Sequence, residues 1–293
     1  MKKEIEQYLV KPGKKIKLKD FNTGYSGDLD KQGGKLELLE VKRKLSEYQS
    51  TLYAENSHSV LILFQAMDAA GKDSAISHVM SGLNPQGCQV FSFKTPSANE
   101  YEHDFLWRHN LALPQRGRIG IHNRSHYENV LVCKVHPEYV LNERIPGYSE
   151  VEKVDKAFWE SRYQSINNFE KHLTDNGTII LKFFLYVSED KQKVRFLDRI
   201  NDPSKNWKFS SADITERALW PAYMEAYEEA INKTSTDKAP WFIIPADKKW
   251  YTRLVISQVI EDAFAKLNLK YPVLPDEEAA ELDKHKKDLL GED

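Results

Sequence analysis

Residues 66–73 read Ala-Met-Asp-Ala-Ala-Gly-Lys-Asp, and they lie between an apolar run and a helical pattern. The run is residues 60–64, Val-Leu-Ile-Leu-Phe, and the pattern is residues 74–80, so the sequence predicts strand, tight loop and helix in that order. The first N–H groups of a helix are unpaired and Lys72 adds a full positive charge, which suits phosphate oxygens. The stretch therefore predicts a phosphate-binding loop, with its binding residues at Ala69, Ala70, Gly71, Lys72 and Asp73.

The loop departs from the usual Gly-x-x-x-x-Gly-Lys-Ser/Thr pattern at two positions. Ala66 replaces the first glycine, and Asp73 replaces the hydroxyl residue that would hold magnesium. Asp68 lies inside the loop, where its carboxylate would repel phosphate unless a cation stood between them. Because Mg²⁺ is bound by one or two carboxylates plus substrate phosphates, Asp68 is a candidate magnesium ligand. The alternative is a plain strand-to-helix turn, with Asp68 or Asp73 as N-cap and Lys72 as a solvated charge.

Composition limits the class of protein. The chain has 293 residues, a net charge of −2 and 41% hydrophobic residues, which is ordinary for a globular protein and gives no electrostatic case for nucleic acid or anionic membranes. Only Cys88 and Cys133 occur, which excludes a disulfide scaffold and fits a reducing compartment. The first residues lack an apolar signal core, and the longest apolar segment, 179–187, contains Lys182 and is too short to span a bilayer. We expect a cytoplasmic protein.

Apolar strands alternate with helical patterns along the chain. This alternation predicts an α/β protein with a parallel sheet covered on both faces. The five candidate strands are residues 60–64, 88–93, 118–123, 178–187 and 241–245. The predicted helices follow residue 35 for about five turns, include 159–173, begin after Ser188 and Ser210, and end with 251–266. The second of the helices after residue 188 is expected to run to about residue 231, kinked by Pro221.

The domain organisation follows from the same pattern. We expect one domain over residues 35–274, preceded by a polar extension, 1–34, that lies over it, and followed by a frayed charged tail, 275–293. No repeat or linker divides the domain.

A local positive region lies between Phe105 and Tyr127, which contains no Asp or Glu. Arg124 follows the third predicted strand, at the sheet edge where ligands of parallel sheets bind, and can reach a phosphate bidentately. The alternative is a solvated loop with His122 in the core. A second group comprises Gln192, Arg195 and Arg199 on one helix face, followed by Lys205 and Lys208. These residues indicate a lid, about 188–231, that closes over phosphates, although arginine faces are also commonly just solvated.

Other functions lack their motifs. There is no acidic pair at a strand end, no aromatic-basic alternation and no Gly-x-Ser-x-Gly elbow, which disfavours a nucleic-acid motor and a serine hydrolase. Trp207, Trp220 and Trp241 are interpreted as packing residues rather than base-stacking platforms.

Three stretches together closely resemble the second family of polyphosphate kinases. They are residues 64–73, residues 123–128 (Asn-Arg-Ser-His-Tyr-Glu) and the run from Arg195 to Ser210, and the resemblance continues to residue 247 within a span of about 35–270. The resemblance implies a thymidylate-kinase-like, three-layer α/β/α P-loop kinase fold with a helical lid. It also implies a homo-oligomer, dimer or tetramer, that uses Mg²⁺ and reversibly transfers phosphoryl groups between inorganic polyphosphate and purine nucleotides (AMP/ADP, with GMP/GDP as further candidates).

The resemblance also assigns roles to individual residues. Asp68 would hold magnesium and Lys72 would cradle phosphate, with Arg124 and Glu128 completing the catalytic set. The phosphate- and nucleotide-binding set further includes Asn123, Lys182, Arg195, Arg199 and Lys208. Many members have Asp at position 123, whereas Asn123 carries no charge. It is therefore a candidate magnesium ligand only through a bound water.

The form Asn-Arg-Ser-His-Tyr-Glu resembles that of members that phosphorylate both AMP and ADP. In it, Glu128 would orient the shorter AMP; alternatively it begins a helix and merely favours its dipole. Two other functions stay open: an ATP-dependent nucleoside monophosphate kinase and a non-catalytic polyphosphate-binding protein.

Overall fold

The structure of the protein is a computed structural model that describes residues 3–291. Its centre is a five-stranded sheet in which every neighbouring pair is parallel, in the order β2-β3-β1-β4-β5. The strands are β1 Ser59–Gln65, β2 Cys88–Ser92, β3 Ile119–Asn123, β4 Thr178–Tyr186 and β5 Trp241–Pro245. All five predicted strands are confirmed, and their bounds agree with the predictions to within one residue at each end.

Eleven α-helices accompany the sheet within residues 3–291. They are α1 Lys3–Glu6, α2 Lys31–Glu55, α3 Lys72–Met80, α4 Trp107–Asn110, α5 Val132–Val135, α6 Lys156–Asp175, α7 Glu189–Asn201, α8 Ser211–Ala218, α9 Trp220–Thr234, α10 Lys249–Ala265 and α11 Asp276–Leu290. Helices α2, α3 and α10 pack together on one face of the sheet, and α5, α6 and α9 pack on the other. The three-layer α/β/α prediction is confirmed. Strand β1 is buried at every position because it lies between β3 and β4 with helices on both sides.

The first long helix begins earlier than its apolar periodicity indicates. Helix α2 starts at Lys31 because the side chain of Asp30 accepts a hydrogen bond from the backbone N–H of Gly33 at 2.7 Å, capping the first turn. Gly34, which is unfavourable in a helix by propensity, lies so close to the ring of Trp250 on α10 that a Cβ would not fit. Close packing against another helix therefore overrides propensity here.

The N-terminal segment enters the core instead of lying over the domain as a polar extension. Ile5, Tyr8 and Val10 are at most 4% exposed. The backbone around Leu9 pairs with β5 in the antiparallel direction, with Val10 N–H donating to Trp241 O at 2.9 Å. This segment covers the edge of the sheet, which would otherwise expose unpaired backbone groups.

Two further expectations about helices differ from the structure. The helix expected from Ser210 to about residue 231 is two helices, α8 and α9, which meet at Leu219. Pro221 lies in the first turn of α9, where its missing N–H costs no hydrogen bond. The tail expected to fray forms the exposed helix α11 as far as Leu290, and residues 292–293 lie outside the described part.

Candidate active site

The loop after β1 has the shape of a phosphate-binding loop. Ala69 and Gly71 adopt left-handed backbone angles, with φ of 58° and 104°, so the chain turns tightly between β1 and α3. Gly71 is the N-cap of α3 and offers no side chain there, which leaves the first N–H groups of the helix directed at the loop. Lys72 begins α3, and its Nζ donates to Ala66 O at 2.7 Å across the loop. Burial lowers the pKa of Lys72, and the nearby Asp68 carboxylate opposes this shift.

Arg124 joins the loop from the neighbouring strand. It follows β3 in the left-handed region (φ 63°), and its backbone N–H donates to Phe64 O at 3.1 Å, which brings it beside the end of β1. Its Nη2 lies 3.2 Å from Asp68 Oδ1, and both side chains are a little under 40% exposed. Asn123, the last residue of β3, donates from Nδ2 to Asp73 Oδ1 at 2.7 Å. The stretch 123–128, called the second motif below, is therefore hydrogen-bonded to the loop through the side chains of Asn123 and Arg124.

Glu128 lies near Arg124 and Lys72, close enough for both charges to act on its carboxyl group. It is in the first turn of a 3-10 helix, His126–Val130, that Ser125 caps by accepting from the N–H of Tyr127 at 3.3 Å. Burial raises the pKa of Glu128, while the positive charges of Arg124 and Lys72 lower it. The structure therefore brings all four residues of the expected catalytic set, Asp68, Lys72, Arg124 and Glu128, into one electrostatically coupled group.

Arg195 is placed differently from its prediction as a phosphate ligand. It is 8% exposed, and its two terminal nitrogens donate to four backbone carbonyls at 2.6–3.1 Å. These carbonyls belong to Ala69, Ala70, Ala246 and Asp247. Arg195 therefore clamps the loop to the end of β5 and, in this arrangement, its terminal N–H groups are occupied by the protein itself.

The other polar residues of α7 and the following turn range from Gln192, which is 1% exposed, to Lys208, which is exposed. Gln192 donates to the backbone oxygen of Asp68 at 2.9 Å and accepts from Arg217 of α8 at 2.7 Å, so α8 is connected through α7 to the loop. Arg199 lies 3.4 Å from Asp213, and Lys208 is exposed with its Nζ 5.0 Å from the centre of the Trp207 ring. The side chains of Arg199 and Lys208 are both more exposed than that of Arg195.

The tryptophan interpretation, packing in the core or in the lid, is confirmed for Trp241, whereas packing of Trp207 within a closed lid stays a prediction. Trp241 is 1% exposed in β5, and Trp220 is partly buried against the core. Trp207 is 73% exposed because it lies in the short turn between α7 and α8, with its Nε1 donating to Ser204 O at 3.0 Å. A local turn, and no core contact, holds this ring.

The structure corrects the prediction that Lys182 binds phosphate, because this residue lies in the core. Its side chain is fully buried in β4, and its Nζ donates to Glu170, to the hydroxyl of Tyr127 and to Thr234 O at 2.5–2.9 Å. Burial alone would raise the pKa of Glu170, but Lys182 and His126 hold it below its ordinary value. His122 is also fully buried, with Nε2 3.1 Å from Ala112 O, which agrees with the core alternative for that residue.

Three residues near the site carry no sequence signal strong enough to find them alone. Asp213 of α8 is within electrostatic range of Asp68, and burial raises its pKa. Tyr223 and Tyr227 of α9 are buried close enough to Glu128 and Asp68 for their charges to raise the tyrosine pKa values further. The two tyrosines belong to α9, which lies 150 positions after the loop. Only folding brings them to the site.

The donor set can be tested against a divalent cation. No cluster of three or more His, Cys, Asp or Glu side chains in the range 3–291 could hold a metal by itself. Asp68 nevertheless offers a 38% exposed carboxylate at the mouth of the loop. Mg²⁺ keeps several waters and uses one or two carboxylates together with substrate phosphates, so this donor set fits the ion only when phosphate is bound.

Comparisons with known proteins identify the family of the chain. The family model for polyphosphate kinase 2 (PPK2) matches residues 28–272, which is most of the chain. The chain belongs to the polyphosphate kinase 2 family. It is therefore a phosphotransferase, a polyphosphate-dependent nucleotide kinase.

Two curated relatives of the PPK2 chain cover nearly its whole length. It is 50% identical over 273 residues to the "ADP-polyphosphate phosphotransferase" of Rhodopseudomonas palustris, covering 93% of each chain. It is 41% identical over 272 residues to the "AMP/ADP-polyphosphate phosphotransferase" of Meiothermus ruber, covering 92% of this chain and 96% of the relative. The crystal structure of polyphosphate kinase 2 from Arthrobacter aurescens TC1 superposes with a TM-score of 0.87 at 39% identity over 96% of both chains. None of the helices within 3–291 is long and apolar enough to cross a membrane.

Proposed function

We propose that this PPK2 protein uses inorganic polyphosphate to phosphorylate both AMP and ADP, with Mg²⁺ as cofactor and in a reversible reaction. One observation carries the proposal: Lys72, Arg124 and Glu128 form a single coupled group around the Asp68 carboxylate at the mouth of the loop. Two cations, a loop of N–H groups and an open carboxylate can hold two phosphate groups end to end. Phosphoryl transfer requires chiefly this positioning and charge neutralisation.

Each residue has a stated part in the transfer. Lys72 and the N–H groups at the start of α3 bind the phosphate that is transferred, while Arg124 can bind a second phosphate with its planar guanidinium. An anionic oxygen of the acceptor attacks phosphorus, and the bond from that phosphorus to the bridging oxygen of the polyphosphate breaks. The shortened polyphosphate leaves with the electron pair. No catalytic base is required because the attacking oxygen is already an anion.

Asp68 is the residue proposed to hold Mg²⁺, with Asn123 contributing through a bound water. When bound, the ion supplies charge neutralisation on the phosphate oxygens. Asn123 lies at the correct edge, since its Nδ2 contacts Asp73 beside the loop. Arg124 lies 3.2 Å from Asp68 Oδ1 and so restricts the position of that carboxylate at the loop.

The choice of acceptor is where the relatives divide. One relative is named for ADP and the other for both AMP and ADP, and both are similar along the whole chain. Glu128 supports the broader choice because it lies beneath Arg124 and Lys72, where it can hold Arg124 toward the phosphate of the shorter nucleotide. Guanine nucleotides are proposed as further acceptors.

We also propose that α7, the turn after it and α8 form the lid that closes over the phosphates. This segment exposes five large apolar side chains at 44–73%, and it is joined to the loop through Gln192. They are Val194, Leu197, Ile200, Trp207 and Ile214. Lys208 and Arg199 on the same segment would approach the phosphates when it moves. A homo-oligomer in the cytoplasm, without nucleic acid as a partner, stays a prediction.

The test is phosphorus NMR of purified protein with polyphosphate, magnesium and either AMP or ADP, in preparations free of adenylate kinase. We expect AMP to yield ADP and then ATP, and ADP to yield ATP. Glu128→Gln should lose the AMP step more than the ADP step, and Glu152→Gln, at an exposed glutamate, is the matched control. Conversion of ADP without any conversion of AMP would contradict the acceptor proposal. Phosphorylation of AMP by ATP alone would indicate the nucleoside monophosphate kinase alternative, and polyphosphate binding without turnover the non-catalytic one.

A further inference from the structure

A fully buried ion pair lies beneath the candidate active site. Lys182 of β4 and Glu170 of α6 are 2.5 Å apart from Nζ to Oε2, with side chains 0% and 2% exposed. Glu170 Oε1 also accepts from the hydroxyl of Tyr127 at 2.8 Å and lies 3.3 Å from His126 Nε2. Both of these side chains belong to the 3-10 helix that contains Glu128. The ion pair therefore contacts the second motif through the side chains of His126 and Tyr127.

The same lysine holds helix α9. Its Nζ donates to the hydroxyl of Tyr127 at 2.9 Å and to the backbone oxygen of Thr234, the last residue of α9, at 2.7 Å. A cation at the C-terminus of a helix is favourable because it meets the unpaired carbonyls there. Trp241 adds a second contact, with Nε1 donating to Thr234 Oγ1 at 2.9 Å. The C-terminal end of α9 is thus fixed at the ion pair.

The other end of α9 reaches the site. Helix α9 packs against the 3-10 helix His126–Val130, which contains Glu128. Tyr223 and Tyr227 lie three and two turns before Thr234 on α9, and the charge of Glu128 contributes to raising the pKa of both. One buried pair therefore fixes two parts that meet again around Glu128: the motif through Tyr127, and α9 through Thr234.

Stability alone is a weak reason for such a pair. Removing two charges from water is costly, and a buried ion pair is often no more stabilising than apolar residues of similar volume. A fully satisfied pair does, however, fix the relative positions of the elements it joins, because each hydrogen bond has one favourable geometry.

We propose that the Lys182–Glu170 pair, acting through Tyr127 and Thr234, is a positioning element that sets Arg124 and Glu128 against helix α9 for phosphoryl transfer. The inference rests on the proposed function. It predicts that breaking the connection lowers the rate of the transfer in protein that is still folded and still binds its substrates.

The first variant is Tyr127→Phe, which removes the hydroxyl between the two partners but keeps the ring against Trp241, 4.7 Å away between centres. We expect kcat for ADP phosphorylation to fall by about tenfold to a hundredfold, since a shift of about 1 Å in a catalytic group has such an effect. The KM for ADP and for polyphosphate should stay near the wild-type value.

A second variant guards against simple misfolding. Lys182→Met with Glu170→Gln removes both charges together, so that no unpaired charge is left in the core. It should fold, as judged by circular dichroism and a cooperative thermal transition, and should again lose kcat. Lys233→Met is the matched control: it breaks the pair that Lys233 of α9 makes with Glu160 of α6 at 2.5 Å, which joins the same two helices but is 41% exposed.

The outcomes separate the two proposals. Lowered kcat with unchanged KM in both buried variants, beside wild-type kinetics in Lys233→Met, supports the positioning role. Wild-type kcat in the folded buried variants, or a loss that only follows the folded fraction, overturns it while the proposed function stands. Absence of turnover in the wild-type protein itself would overturn both.

Discussion

Lys72 and Lys182 are two cations with opposite surroundings. Lys182 uses all three N–H groups on protein acceptors, and its charge is cancelled by Glu170. Lys72 donates, within residues 3–291, to the single acceptor Ala66 O, and it is only partly buried. Arg195 and Arg124 repeat the contrast, since Arg195 donates to four carbonyls and Arg124 to one carboxylate. A basic residue with terminal N–H groups free of protein acceptors is available to phosphate, whereas one whose terminal N–H groups are all engaged by the protein stabilises the fold.

The largest expected effect on kcat is at the phosphate-binding loop, where Lys72 and Asp68 lie. Lys72→Ala and Asp68→Asn should each lower kcat by about 10²–10³, because one preorganised electrostatic contact has about that value. Both variants should unfold at the wild-type temperature. Steady-state kinetics at saturating magnesium measures the effect, with Lys44→Ala, at an exposed position of α2, as control. Near wild-type activity in either variant would move the phosphate site away from this loop.

The next test concerns buried groups that have no counter-charge. Burial lowers the pKa of His122 to about 4 from its ordinary 6.5, although its contact with Ala112 O opposes the shift. Below pH 6.5 His122 is protonated in the unfolded chain but stays neutral in the folded protein. The free energy of unfolding therefore falls as the pH falls toward 4. The loss from this residue is at most about 3 kcal/mol.

Urea unfolding between pH 7 and pH 4.5 measures that slope. His122→Phe should flatten it relative to the wild type, and His109, whose pKa burial also lowers, should keep its own share. His172→Phe, at an exposed position of α6, should leave the slope unchanged. Identical slopes for wild type and His122→Phe would show that His122 is protonated in the folded protein.

A third test compares the two arginines of α7. Arg195→Ala leaves buried carbonyls without a donor and should lower the free energy of unfolding by about 1–3 kcal/mol, without changing the salt dependence of polyphosphate use. Arg199→Ala should instead leave the free energy of unfolding unchanged. It should weaken the salt dependence of the KM for polyphosphate, because one phosphate contact is lost. Equal salt slopes in Arg199→Ala and the wild type would place Arg199 with the solvated residues.

The smallest effect is expected at Trp207. Because its ring is 73% exposed, Trp207→Ala should change the free energy of unfolding by no more than about 0.5 kcal/mol. Trp241→Ala, at a 1% exposed position, is the destabilised comparison. A loss at Trp207 as large as that at Trp241 would mean that the lid segment packs against another surface in solution.

The sequence was sufficient to predict the strands of the sheet and to propose residues for the site. Continuous apolar runs are typical of strands buried on both faces, and all five were found to within a residue. The loop, Arg124 and Glu128 follow strands β1 and β3, and the ends of adjacent parallel strands meet at one edge. The local pattern located these residues at strand ends, the family resemblance predicted that they share one site, and the strand order in the structure shows that β1 and β3 are neighbours.

The sequence could not separate the binding cations from the structural ones. Lys182, Arg195 and Arg199 are all basic residues in the expected region, but whether their N–H groups are occupied depends on carbonyls and carboxylates from distant elements. The same holds for the N-terminal segment, whose pairing with β5 joins residues more than 200 positions apart. Such contacts leave no periodicity or spacing in the chain.

The sequence by itself determined the α/β fold, the phosphate-binding loop and the identity of the charged groups around it. The tertiary structure decided which of those charges are free. It buried Lys182 against Glu170, turned Arg195 into a clamp on the loop and left Lys72 and Arg124 only partly buried. The physical reason is that hydrogen-bond saturation is a property of the assembled core, in which a buried donor must find its acceptor wherever the fold provides one.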